Sequence, residues 1–122
     1  MTALYAEAGA GKFRVTAQLE RCGADIVAVV SGGERPHVGA VALAQYEPDR
    51  QSATVSVLTA FGHRDDAVAA RFSKALSAAG RCSAAVSVGI HVDGADSETL
   101  GLLLQNSEAC LTALLCQLEG NT

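Results

Sequence analysis

Hydrophobic and polar positions alternate first with the period of strands and later with the period of helices. Phe13, Val15, Ala17 and Leu19 alternate with Arg14, Thr16, Gln18 and Glu20, which predicts a strand with one wet face. Cys22-Gly23-Ala24-Asp25 reads as a turn. Ile26-Val27-Ala28-Val29-Val30 is an unbroken, β-branched run, the pattern of a central strand covered on both faces, and it completes a hairpin. Ser31 to His37 carries two glycines and a proline and predicts a loop of defined shape. Val38 to Gln45 is a third strand, rich in small residues, and Pro48-Asp49-Arg50-Gln51 a turn. Ser52 to Thr59 is a fourth strand, with Val55 and Val57 on one face and Thr54, Ser56 and Leu58 on the other.

After Phe61-Gly62-His63 the period becomes helical. Val68, Phe72, Ala75, Leu76 and Ala79 share a face, Asp65 and Asp66 occupy the first turn, where they favour the helix dipole, and Gly80 is a stop. Arg81 to Val92 is a fifth strand, with Ala84, Val86, Val88 and Ile90 on one face. Asp96-Ser97-Glu98 opens a second helix with Leu100, Leu104, Leu111, Leu115 and Leu118 as its apolar stripe. The expected class is α+β: a five-stranded, mostly antiparallel sheet with two helices, in the order ββββαβα. Residues 1–122 form one domain with a core from about 12 to 118.

Strand direction then locates the chemistry. In an up-down meander the Gly32–His37 loop and Phe61-Gly62-His63 fall at the same end of the sheet. A helix of about 15 residues spans roughly 22 Å, and an eight-residue strand roughly 26 Å. The first helix thus returns the chain to the far end, and the fifth strand delivers Gly89-Ile90-His91-Val92-Asp93 to the same rim. His37, His63 and His91, all the histidines of the chain, share that rim. If the fifth strand pairs with the first, His91 sits about 19 Å across the sheet from the fourth strand.

Composition narrows the function classes. Aromatics are few (Tyr5, Phe13, Tyr46, Phe61 and Phe72), Trp is absent, and alanine and valine supply most of the apolar count. The formal charge is −4 and no basic run stands out, which argues against nucleic acid. Apolar stretches look short for a membrane span, and the first residues lack a signal-peptide pattern, so a cytoplasmic protein is expected. Cys22, Cys82, Cys110 and Cys116 show no metal-ligand spacing and read as reduced thiols, mostly small hydrophobes.

Taken singly, each rim residue has a plain reading. His63 could cap the first helix, His91 could bond a backbone carbonyl, and Gly32-Gly33 could be a turn. Together they suggest more. Carboxylates accompany two of the histidines, as His63/Asp66 and His91/Asp93, a pairing that orients an imidazole toward a ligand or metal. Gly32 and Gly33 permit close backbone approach, Arg35 and Arg64 supply charge, and a helix N-terminus offers N–H groups to an anion. No phosphate-loop or dinucleotide fingerprint is present, and no nucleophile-and-base arrangement is evident.

Gly32-Gly33-Glu34-Arg35-Pro36-His37-Val38-Gly39-Ala40-Val41-Ala42, Leu58-Thr59-Ala60-Phe61-Gly62-His63-Arg64-Asp65-Asp66 and Gly89-Ile90-His91-Val92-Asp93 together resemble the prenylated-flavin chaperone-like family, the small accessory proteins of gallate- and vanillate-type decarboxylases. The resemblance spans roughly residues 12 to 118. It implies a fold akin to proteasome assembly chaperones and a role in supplying prenylated FMN to a UbiD-like decarboxylase catalytic subunit. The family pattern falls on His37, His63, Asp66, His91 and Asp93. The cofactor-binding residues expected are Gly32, Gly33, Arg35, His37, Phe61, His63, Arg64 and His91, with Phe61 and Tyr46 as the aromatics for stacking. His37, His63, His91 and Asp93 are the candidate ligands of a phosphate-bridging divalent metal such as Mn²⁺. Two rivals stand beside the carrier. One is a small metal-dependent enzyme using the three histidines, with Asp66 or Asp93 as base. The other is a pure assembly chaperone docking a decarboxylase through a sheet edge or the leucine-rich helix. A homodimer is expected, because Leu102 and Leu103 widen the second helix's stripe beyond what one sheet face covers.

Overall fold

The computed structural model describes residues 3–60 and 65–120. Its elements are β1 (Leu4–Ala8), a single 3-10 turn (Gly11–Phe13), β2 (Val15–Cys22), β3 (Asp25–Gly33), β4 (Ala40–Glu47), β5 (Ser52–Thr59), α1 (Asp66–Gly80), β6 (Ala84–His91) and α2 (Ser97–Gly120). The sheet has six strands rather than five. The extra one, β1, pairs Leu4 with Leu19 and Ala8 with Val15, and its five residues are too few to announce a period.

Strand order is β1-β2-β3-β6-β4-β5, with β3 and β6 parallel and every other pair antiparallel. The expected meander is therefore interrupted. β3 and β4 are consecutive in sequence yet not neighbours, because β6 is inserted between them. Strand directions are unchanged by the insertion, and the 19 Å separation anticipated for His91 disappears.

One register runs across the sheet. Ala17, Val30, Val88 and Ala40 lie in one row, and Leu19, Ala28, Val86 and Ala42 in the next, all buried. Both helices cover this face, α1 over β4, β5 and β6, and α2 over β1 and β2. Phe72 is the largest fully buried side chain, set over strands whose inward residues are mostly alanine and valine. The other face has no helix on it. Ile26, Ala28 and Val30 are buried while Val27 and Val29 are exposed, so β3 is covered on one face and not on two.

The helical stripes are rotated from the expected ones. In α1 the buried positions are Ala69, Phe72, Ser73, Leu76 and Ser77, with Ala79 exposed. The small hydroxyls are satisfied locally: Ser73 Oγ donates to the Ala70 carbonyl and Ser77 Oγ to that of Cys82. The left-handed residue that ends α1 is Arg81, at φ 51°, rather than Gly80. In α2, Leu103, Leu111, Leu114 and Leu118 are buried, whereas Leu100, Leu102 and Leu104 are exposed. Asp96 Oδ1 accepts from the Thr99 N–H and caps α2 at the place the sequence indicates. By length and composition α2 could cross a bilayer, which corrects the expectation that apolar stretches fall short of a span. One face of it packs on β1 and β2, where Cys110 Sγ donates to the Val15 carbonyl.

Candidate functional site

The insertion of β6 forces the β3–β4 connection across the end of β6, and glycines make the crossing possible. A Cβ on Gly89 would lie 1.5 Å from the His37 carbonyl oxygen. A Cβ on Gly33, which has φ +75°, would lie 2.3 Å from the His91 carbonyl oxygen, and one on Gly39 would lie 2.0 Å from Asp65 Oδ2. Backbone bonds pin the loop: Glu34 N–H donates to the His91 carbonyl at 2.7 Å and Gly39 N–H to that of Val88 at 2.8 Å. The Glu34 carboxylate accepts from the Asp93 N–H at 2.9 Å. Gly32 backs onto the Arg14 carbonyl. Gly32 and Gly33 thus serve close packing of the chain on itself.

This crossing brings His37 and His91 together edge to face, ring centroids 6.2 Å apart. His37 Nδ1 donates to the Arg35 carbonyl at 2.9 Å, which turns Nε2 toward Asp65 Oδ2 at 3.5 Å. Asp65 is buried at the start of α1, and its Oδ1 accepts from the Ile90 N–H at 3.3 Å. It ties the helix start to the end of β6 and to the His37 imidazole. The sequence reading singled out Asp66 as a partner of His63. Asp66 is exposed, and His63, Phe61 and Arg64 lie outside the described residues. The signal for Asp65 was its place at the helix start, where the first free N–H groups are.

Arg35, His91 and Asp93 form an exposed triad. Arg35 Nη2 donates to Asp93 Oδ1 at 2.8 Å, and His91 Nε2 is 2.8 Å from the same oxygen and 3.0 Å from Arg35 Nη2. One ring nitrogen serves one of these partners at a time: it donates to Asp93 when protonated and accepts from Arg35 when not. The hydrogen bond with His91, and then the Arg35 charge, hold the Asp93 carboxyl below the ordinary carboxylate value. A depressed folded-state pKa means that the contact is formed above the unfolded-state pKa and lost as pH falls through the folded value. In a side-chain NMR titration, Asp93 is therefore expected to titrate below the ordinary carboxylate value, and His91→Ala to move the midpoint back up. A midpoint at or above that value in the unaltered protein would mean the triad does not persist in solution.

Of the four anticipated metal ligands, His37, His91 and Asp93 are among the described residues and His63 is not. Among the described residues, no three metal-ligating side chains converge. The Arg35 guanidinium at His91 Nε2 also places a positive charge where a cation would have to sit. Tyr46 is at the opposite end of the sheet, paired with Ala53, and is not available for stacking at the rim.

Behind the rim, a cavity of about 370 Å³ opens between the start of α1, the end of β6 and the first turns of α2. Val68, Ile90, Val92, Ala95, Leu100, Leu103 and Leu104 supply apolar walls, and Asp65 and His91 stand at its polar end. It runs on into an apolar groove between the helices that reaches Arg71 and Glu108, themselves paired at 2.7 Å. A cavity of this size with few polar groups suits a small organic ligand of mixed polarity.

Residues 9–119 match the prenylated flavin chaperone LpdD-like domain. The chain belongs to that family. The matched stretch begins just after β1, which lies outside it. Among solved structures, the chain is similar to one described as a novel chaperone complex for yeast 20S proteasome assembly. That likeness has a TM-score of 0.59 at 13 % identity and covers 98 % of each chain. It shows the shared fold, as the proteasome-assembly-chaperone expectation required. No curated protein matches the sequence.

Proposed function

We propose that this chaperone holds prenylated FMN and hands it to a UbiD-like decarboxylase, without itself catalysing a reaction. The observation that supports this best is the position of His91, which belongs both to the charged rim and to the apolar cavity behind it. A ligand with an anionic phosphate and an apolar, ring-fused prenyl group matches that division. In this reading Arg35, His37 and His91 take the phosphate, and the α1–α2 cavity takes apolar ring surface. Asp93 then occupies, in the absence of ligand, the anionic position that the phosphate takes over. The family membership supports the flavin, and Asp65 fixes His37 for it.

The experiment is native mass spectrometry of the purified protein mixed with reduced prenylated FMN, without added divalent metal. A stable complex is expected. Arg35→Ala removes a charged donor and should weaken the complex about 10- to 100-fold, the equivalent of roughly 1.5–3 kcal/mol for a hydrogen bond to a charged group. No complex with the unaltered protein overturns the carrier reading. A decarboxylase that matures equally well with the Arg35→Ala, His37→Ala and His91→Ala variants favours a docking chaperone that binds no cofactor.

A further inference from the structure

The space between the two helices reaches well past the rim. The cavity of about 370 Å³ behind His91 and the groove of about 350 Å³ beyond it share Ala67, Val68, Leu104 and Ser107 as wall residues, so the two form one channel. Along α1 the channel runs from Asp65 to Phe72, and along α2 from Leu100 to Glu108. Eight steps of a helix make that length about 12 Å. Small side chains, Ala67, Ala95 and Ser107, keep it open. The Ser107 hydroxyl donates to the Leu103 carbonyl and is thus turned back into its own helix. Leu100 and Leu104 stand at the lip, 51 and 56 % exposed, instead of closing it. Protein interiors are close-packed, and an unfilled space of this size forfeits the dispersion contacts its walls would otherwise make.

We propose that this channel binds the hydrocarbon chain of a single-chain anionic amphiphile, with the anionic head at Arg35 and His91 and the chain end beside Phe72. The head assignment rests on the rim reading given above, whereas the chain assignment rests on the channel alone. Three observations select this ligand. First, the channel is extended in one direction, and among the described residues Gln105 and Ser107 are the polar ones on its walls between the two ends. Second, the ends differ in charge. At the rim, Asp65 is engaged by the Ile90 N–H and faces His37, while Arg35 stands beside His91 with its guanidinium exposed. At the far end Arg71 donates to Glu108 through Nε at 3.1 Å and Nη2 at 2.7 Å, a self-neutralised pair that offers nothing to a second charged head. Third, the length is that of a chain. A staggered hydrocarbon advances roughly 1.25 Å per carbon for bonds of about 1.52 Å, so the channel holds about ten carbons. The chain and the flavin ring of the carrier reading share the rim-end cavity, so the two ligands exclude each other.

The probes are n-alkyl phosphates from butyl to tetradecyl, each kept below its micelle concentration and titrated into the intact protein by calorimetry. Affinity should rise about fourfold for each added CH₂ and level off near decyl. NOEs should place the terminal methyl of decyl phosphate against the Phe72 ring. 1-Decanol, which lacks the charged head, should bind at least about tenfold more weakly than decyl phosphate, the loss of a hydrogen-bonded charge. Ala67→Phe puts bulk into the channel wall from an exposed helix position and should move the levelling-off to shorter chains with the circular dichroism spectrum unchanged. Should that variant not fold, the chain-length series and the NOEs of the unaltered protein decide. An affinity indifferent to chain length overturns the proposal. So does one that climbs through tetradecyl without levelling, as adsorption to an open surface would, or decanol binding as tightly as decyl phosphate. Prenylated FMN measured on the same sample separates the two readings. Flavin binding beside a flat alkyl series sinks the channel and keeps the carrier, whereas a levelling series without flavin binding keeps the channel and sinks the carrier.

Discussion

Replacing Gly89 by Ala should abolish the rim site and destabilise the fold together. An exposed or roomy glycine-to-alanine change usually stabilises by about 0.4–1 kcal/mol, because it narrows the unfolded ensemble. At Gly89 the added carbon would stand 1.5 Å from the His37 carbonyl oxygen, 2.3 Å from its carbonyl carbon and 3.0 Å from its amide nitrogen. Backbone cannot swing aside as a side-chain tip can, so the whole Glu34–Val38 crossing must lift from β6. Overpacking of this kind costs about 1–3 kcal/mol, and for a domain of this length each kcal/mol lowers Tm by some 3–6 °C. Lifting the crossing also takes His37 from Asp65 and Arg35 from His91, so the prenylated FMN binding proposed above should fall below detection in the same sample. Gly101→Ala is the control. It sits in α2 with nothing within 4 Å of the added carbon, and should raise stability by up to about 1 kcal/mol. Equal melting temperatures for the two variants would contradict the crossing described above.

Phe72→Ala should have the largest effect on stability. Phe72 is fully buried and is the largest side chain in a core otherwise made mostly of alanines, valines and leucines. The inward positions of β4, on which α1 packs, are Ala40, Ala42 and Ala44, with little side-chain bulk that could move in to fill the space. The expected loss is about 3–5 kcal/mol, transfer and cavity contributions combined. That is a large part of the 5–15 kcal/mol typical of a folded domain. Phe72→Leu should cost markedly less, since much of the volume is kept. Urea unfolding measures both, and a loss under about 1 kcal/mol for Phe72→Ala would mean that α1 does not pack as described. Asp65 lies seven residues before Phe72, two turns away on the same side of α1. A partial loosening of the helix should therefore also show as weaker ligand binding before global unfolding.

The sequence by itself determined most elements, their directions and, through direction, the meeting of His37 and His91 at one end of the sheet. These follow from local properties: period two against period 3.6, turn residues, and the length of α1 against that of a strand. The three rim motifs also carried the family, which the match over residues 9–119 bears out. Tertiary structure alone decided the neighbours. Nothing periodic in Ala84–His91 says that it slots between β3 and β4, because strand order depends on pairings between residues some 60 positions apart. That one insertion created the glycine-lined crossing and closed the gap to His91. It also selected Asp65, whose carboxylate reaches the Ile90 N–H and His37, over Asp66, which faces outward. β1 went unread because two inward residues, Leu4 and Ala6, cannot establish an alternation. The run at Ile26–Val30 announced apolar surfaces on both sides of a strand but could not say what covers them. Hydrophobicity is a property of the chain, whereas coverage is a property of whatever packs against it, here the two helices on one face.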